Sequence, residues 1–119
     1  MEDIVTQKPK TPAEVYEEYM VPAIFTPWAR VLLTYAAPKP GERVLDVACG
    51  TGAVSRQVAP IVGAKGKVTG LEISAAMLAV ARSIHAPAGA QIDWREGDAT
   101  SLPFADRSFD LVTKEYVSN

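Results

Sequence analysis

Along the chain, short apolar runs bounded by turn residues alternate with stretches in which apolar residues recur every three or four positions. The two periods predict strands and helices in turn. The first ten residues, MEDIVTQKPK, follow neither period and are expected to be disordered. At TPAE the sequence has the form of a capping box, with Thr11 as N-cap, Pro12 at the first helical position and Glu14 reaching back to the cap. It predicts a short helix to about Met20, stopped by Pro22. A second start at Thr26 and Pro27 predicts a helix that buries Trp28, Val31, Leu32 and Tyr35 on one face and ends at Pro38 and Pro40.

Beyond Gly41 and Glu42, RVLDVA reads as a first strand, and the glycine turn after it opens a helix with Val54, Val58, Ile61 and Val62 as its buried stripe and Gly63 as its C-cap. KVTGLEI reads as a second strand. Ser74 then caps a helix carrying Met77, Val80, Ala81 and Ile84 at helical spacing, closed by Pro87 to Gly89. QIDWR is a third strand, GDATSLPFADRS a loop and FDLVT a fourth strand. Strands alternating with helices over short connections imply parallel strands joined by right-handed crossovers, hence an α/β, Rossmann-like layered sheet. With no repeat, low-complexity tract or dividing linker, residues 1–119 are expected to form a single domain, its N-terminal helices within 11–40 and its core within 41–119.

Composition narrows the picture further. At 119 residues one core is the ceiling, and 48 % hydrophobic with 22 % charged residues is too apolar for intrinsic disorder. A net charge of −2 and a pI near 5.3 supply no basic field for nucleic acid. The single cysteine, Cys49, has no disulfide partner within the chain and no companions for a zinc site, which suits a reducing compartment. The polar, acidic start is unlike a signal peptide and no run reaches membrane-spanning length, so the expected location is cytoplasmic, with no membrane partner. Cys49 is expected to be loop filler rather than a nucleophile, His85 to sit near a helix C-terminus without an acid-base partner, and Lys114, Glu115 and Tyr116 to form a solvated tail.

The glycine turn carries the chemistry. In VLDVACGTG a strand ends in Gly50 and Gly52 and a helix begins, so backbone N–H groups and the positive helix terminus converge beside the sheet, a place suited to a nucleotide-like ligand. The dinucleotide pattern GxGxxG is incomplete, because its third glycine position is Ser55. Glu72 ends the second strand twenty positions after Gly52, where a carboxylate is placed to accept both hydroxyls of a ribose; its plainer reading is a solvated acid favouring the next helix N-terminus.

These motifs resemble those of class I S-adenosylmethionine-dependent methyltransferases, and within them the small-molecule enzymes related to quinone C-methyltransferases. VLDVACGTG is similar to their first motif, GLEIS with MLAVAR behind it to their second-strand motif, and GDATSLPFADRSFDLV to the segment that closes over adenine. The resemblance runs from about Tyr16 to Val112. It implies S-adenosylmethionine as cofactor and a strand order of third, second, first, fourth. By the same resemblance Asp46 would help hold the amino acid end of the cofactor, and Gly50 and Gly52 would let the backbone meet its methionine and ribose. Ala48 stands where many members have glycine, a mild departure unless the position needs positive φ. Glu72 would bind the ribose, Ile73 and Met77 would contact the adenine face, and Asp98 with the backbone of Ala99 would read its amino edge. For Asp98 the plainer reading is a turn-forming Gly-Asp pair. Tyr16, Tyr19, Phe25 and Trp28 are candidates to cover the cofactor, against the plainer reading that they pack helices on the sheet.

Family members continue through three more strands, so the resemblance also implies a domain truncated after its fourth strand, with the substrate half missing. Three functions follow as alternatives: a methyltransferase acting on a small molecule, a catalytically silent cofactor-binding or interaction domain, and, less in keeping with Ser55, a nicotinamide-dependent oxidoreductase. The fourth strand, left at an edge, is expected to favour a homo-oligomer.

Overall fold

The structure, a computed structural model, describes residues 9–114. The expected disorder of residues 1–8 and the expected tail residues Glu115 and Tyr116 lie outside the described residues. Four strands, β1 (Arg43–Val47), β2 (Lys67–Glu72), β3 (Ile92–Glu96) and β4 (Leu111–Lys114), form one sheet in the order β3-β2-β1-β4. Every pairing is parallel, as the alternating pattern and the resemblance both required. The register sets Asp46 of β1 between Gly70 of β2 and Thr113 of β4. Lys114 is not part of a tail: it completes β4 opposite Val47.

The N-terminal region departs from the expected pair of helices. The capping box forms, with Thr11 Oγ1 accepting from the Glu14 N–H and Glu14 Oε1 accepting from the Thr11 N–H. Pro22, however, does not stop the chain. α1 (Pro12–Val15) runs into a π-helical segment (Tyr16–Phe25) and on into α2 (Thr26–Ala36). The wider turn bonds the Thr26 N–H to the Val21 carbonyl five residues back, a spacing that accommodates a residue with no N–H of its own. Ala37, at φ 48, ends α2.

The buried face of α2 is also not the expected one. Ala29 and Leu33 are buried, Leu32 is half-buried, and Trp28, Val31 and Tyr35 are exposed, Tyr35 at 85 %. The helix carries more apolar residues than one face can bury, and small Ala29 lets it approach α3 (Ala53–Val62) closely. On α3 Val54, Val58 and Val62 are buried as expected, while Ile61 is exposed. On α4 (Ala75–Ser83) the buried residues are Leu78 and Ala81, with Met77, Val80 and, just past the helix end, Ile84 half-buried. The caps fall where the sequence put them, Ser74 Oγ accepting from the Met77 N–H and Gly63 ending α3 at φ 70.

Two cores result. Val44 and Val68 point from the sheet into a cluster with Ala29, Leu33, Val54, Val58 and Val62, which fixes α2 and α3. On the opposite face Leu45, Val47 and Leu71 are covered by the loop after β3, through Phe104 and Phe109, whose rings meet edge to face at 5.0 Å. Phe109 and Asp110, expected in the fourth strand, precede it: Asp110 instead closes an ion pair with Arg43 at the start of β1. Among the described residues no helix is long and apolar enough to cross a membrane.

Candidate functional site

The carboxyl ends of β1 and β2 hold the site. After Val47 the chain turns through Ala48 at φ 56, Gly50 at φ 58 and Gly52 at φ 95 before α3 begins. Ala48 is thus a left-handed residue with a side chain, which costs about 1 kcal/mol relative to the favoured backbone regions. The condition under which alanine is more than a mild departure is met. Gly52 has a second reason to be glycine. A Cβ there would lie 2.3 Å from the Trp94 indole, and one at Gly70 would lie 2.7 Å from the same ring. Trp94 of β3 therefore lies across two glycines and fills the space between β2 and the start of α3. This packing depends on the register that sets Trp94 opposite Gly70, which the sequence pattern alone did not signal.

Glu72 is the clamp of the turn. Its Oε1 accepts from the Gly50 N–H and its Oε2 from the Ser74 N–H, each at 2.9 Å, so one carboxylate ties the glycine turn to the cap of α4. Both oxygens keep a second lone pair for a further donor. Asp46 lies beneath the turn, fully buried, where Ser55 Oγ donates to Oδ2 at 2.7 Å and Thr113 Oγ1 to Oδ1 at 3.2 Å. Burial pushes its carboxyl up to about 6 against the lowering effect of those hydroxyls and of the Ser55 N–H, with the nearby Glu72 charge adding a smaller push upward. Ser55, which breaks the dinucleotide pattern, is thus the donor that orients Asp46.

Asp98 sits in the loop after β3, its Oδ1 accepting from both the N–H and the hydroxyl of Thr100 at 2.8 Å. Those bonds hold its carboxyl below the ordinary range. The turn-forming reading of Asp98 describes this geometry, and its Oδ2 takes no part in those bonds. A cavity of about 110 Å³ joins Ala48, Glu72, Ile73, Asp98 and Ala99, five of the nine positions that the resemblance assigned to cofactor binding, together with Leu71 and Gly97. Gly50 is bonded to it through Glu72, whereas Asp46 lies under the turn, Gly52 under Trp94, and Met77 half-buried on α4. Cys49 is buried with its Sγ facing Gly70. Among the described residues no cluster of three or more potential metal ligands occurs.

The N-terminal segment closes one side. Tyr16 lies against Gly50, its hydroxyl 3.3 Å from where a Cβ would stand, and Phe25 backs its ring at 5.1 Å. Tyr19 and Trp28, candidates for the same cover, are exposed at 60 % and 51 %. The sequence reading missed Glu17 and Arg56. Arg56 Nη2 donates to Glu17 Oε1 at 2.7 Å and Nη1 to the Thr51 carbonyl.

Residues 44–118 match a family model described as a methyltransferase domain. The 2-phytyl-1,4-naphthoquinone methyltransferase of Synechococcus elongatus is 44 % identical over 91 residues, covering 75 % of this chain and 39 % of that protein. A ubiquinone/menaquinone biosynthesis C-methyltransferase of Stenotrophomonas maltophilia is 38 % identical over 102 residues, covering 84 % and 40 %. Among solved structures, an arsenic(III) S-adenosylmethionine methyltransferase from Chlamydomonas reinhardtii superimposes with a TM-score of 0.54 at 29 % identity, over 74 % of this chain and 38 % of that one. The chain spans about two fifths of the length of the curated relatives it matches.

Proposed function

The chain belongs to the family of methyltransferase domains, and on that premise we propose that it binds S-adenosylmethionine at the carboxyl ends of β1 and β2 and serves methyl transfer to a small molecule of the prenylated quinone class. The observation that carries the reading is the convergence of Ala48, Glu72, Ile73, Asp98 and Ala99 on one cavity beside the glycine turn. The residues present fit the cofactor. Glu72 offers two acceptor oxygens already oriented by backbone donors, Ile73 and Leu71 offer apolar surface, and Asp98 keeps one oxygen clear of its turn. At about 110 Å³ the cavity suits part of such a molecule, with the rest lying along the turn toward Gly50.

When bound, the cofactor supplies a methyl group on a sulfonium, an electrophile that needs little covalent help. The chain's own residues then bind and orient. Glu72 holds the turn and the ribose end together, Asp46 supports the turn from below, and Tyr16 with Phe25 excludes water from one side of Gly50. An aromatic face there also favours a neighbouring cation. Ser55, committed to Asp46, speaks against the nicotinamide alternative.

The test is transfer of labelled methyl from S-adenosylmethionine to a reduced prenylated 1,4-naphthoquinone by the 119-residue chain. Product with the label on the ring carbon supports the reading. Cofactor binding without transfer supports the silent binding domain instead, and binding of a nicotinamide cofactor in preference to S-adenosylmethionine overturns both.

A further inference from the structure

The Glu17–Arg56 pair joins two parts of the molecule that are far apart in sequence. Arg56 stands in the first turn of α3, and its fork reaches in two directions: to the Glu17 carboxylate on the π-helical segment and to the Thr51 carbonyl in the middle of the glycine turn. Both partners of the ion pair are largely shielded, with side chains 17 % and 22 % exposed. Tyr16, the neighbour of Glu17, rests on Gly50 of the same turn. In the same turn the Thr51 hydroxyl is buried without a hydrogen-bond partner. A buried orphan hydroxyl is disfavoured, and its presence in the turn marks a loop whose hydrogen bonding is incomplete as it stands.

We propose that Arg56 is a positioning residue that makes the N-terminal segment and the glycine turn one mechanical unit, so that the segment cannot lift from the site without releasing the turn. A planar guanidinium is suited to the task because it holds a carboxylate and a carbonyl in one rigid fork, which a lysine ammonium does not. The widened helix around Pro22 is the part able to change its winding, since its bonds already depart from the α-helical spacing. If the turn is a ligand site, a point that rests on the proposed function, ligand affinity and closure of residues 12–25 are coupled through this one side chain. Thr51 then has its hydroxyl where a ligand or a rearranged turn satisfies it.

The experiment is amide hydrogen exchange by NMR on the full 119-residue chain, comparing the wild type with Glu17→Gln, Arg56→Gln and Arg56→Lys. The reporters are the amides of Gly50 and Gly52, bonded to Glu72 and Cys49, and those of residues 16–25. Glu17→Gln removes charge at constant shape and is expected to speed exchange about tenfold in both groups, with the amides of β1 and β2 unchanged. Arg56→Gln should do the same and Arg56→Lys should restore only part. Acceleration confined to residues 16–25, with the turn amides unmoved, overturns the proposal. Should Arg56→Gln unfold the chain, Glu17→Gln alone decides. S-adenosylhomocysteine, added to the wild type, should slow both groups together. If coupled acceleration is seen in the variants but the wild type ignores this probe, the mechanical coupling stands and the ligand reading of the turn falls.

Discussion

Asp46→Asn tests the electrostatics of the site in a way that reads out without any ligand. The Asp46 carboxyl is fully buried and its protonation lies at about 6 rather than the ordinary 3.8. Between roughly pH 4 and pH 6 the folded chain holds a proton on Asp46 that the unfolded chain has released, so stability falls as pH rises through that window. Below it both states are protonated, and above it both are ionised with the full penalty in place. A displacement from 3.8 to about 6 corresponds to about 3 kcal/mol. Asparagine keeps the shape and cannot ionise, and the Ser55 and Thr113 hydroxyls can each donate or accept, so both remain satisfied. Urea unfolding followed by circular dichroism at pH 4, 5, 6, 7 and 8 should find Asp46→Asn more stable than the wild type by about 1 to 3 kcal/mol at pH 7, with the gap closing toward pH 4. A variant less stable than the wild type at pH 7, or a gap that does not change with pH, would refute the reasoning, because the hydroxyl donors would then outweigh desolvation. An ionisable group kept at such expense is expected to serve binding, so the same variant should bind S-adenosylhomocysteine more weakly.

Glu72→Ala should weaken S-adenosylhomocysteine binding by about 1.5 to 3 kcal/mol and, since the Gly50 and Ser74 N–H groups both lose their acceptor, also lower stability by about 1 to 2 kcal/mol; calorimetry and thermal melting read the two effects, and unchanged affinity in a folded variant removes Glu72 from the site. Ala48→Gly should raise stability by about 1 kcal/mol by relieving the left-handed alanine, measured by urea unfolding, and a loss of stability would contradict the strain assigned to it. Val112 is half exposed on β4, at the sheet edge among the described residues, so the 119-residue chain should self-associate at micromolar concentration despite Lys114 at the strand end; a monodisperse 12.7 kDa monomer by light scattering on a sizing column would sink this.

The strands themselves and the caps at Thr11, Gly63 and Ser74 were legible because each rests on local chemistry, apolar runs, a hydroxyl before a helix and a glycine after one, whereas the strand order followed from the family resemblance. The N-terminal helices were misread because Pro22 was weighed by its penalty in an α-helix, whereas the chain passes it in a π-helical winding that the α-helical spacing does not announce. The wrong face of α2 has a related cause. Trp28, Val31 and Tyr35 satisfy the helical period as well as Ala29 and Leu33 do, and only the shape of α3 chooses between them. In the candidate site, Glu72 was singled out by its place at the end of a strand and Asp98 by the family resemblance, whereas Arg56 and Trp94 were not, because their roles depend on contacts with Glu17 and Gly70 that no spacing announces.

The central claim, a cofactor site at the carboxyl ends of β1 and β2, is tested most directly by titrating the isotopically labelled 119-residue chain with S-adenosylhomocysteine and following amide NMR shifts. Saturable shifts are expected at Ala48, Gly50, Glu72, Ile73, Asp98 and Ala99, with Ala64 and Gln91 at the far end of the sheet unmoved. No shifts at millimolar ligand, or shifts centred on that far end, would contradict it.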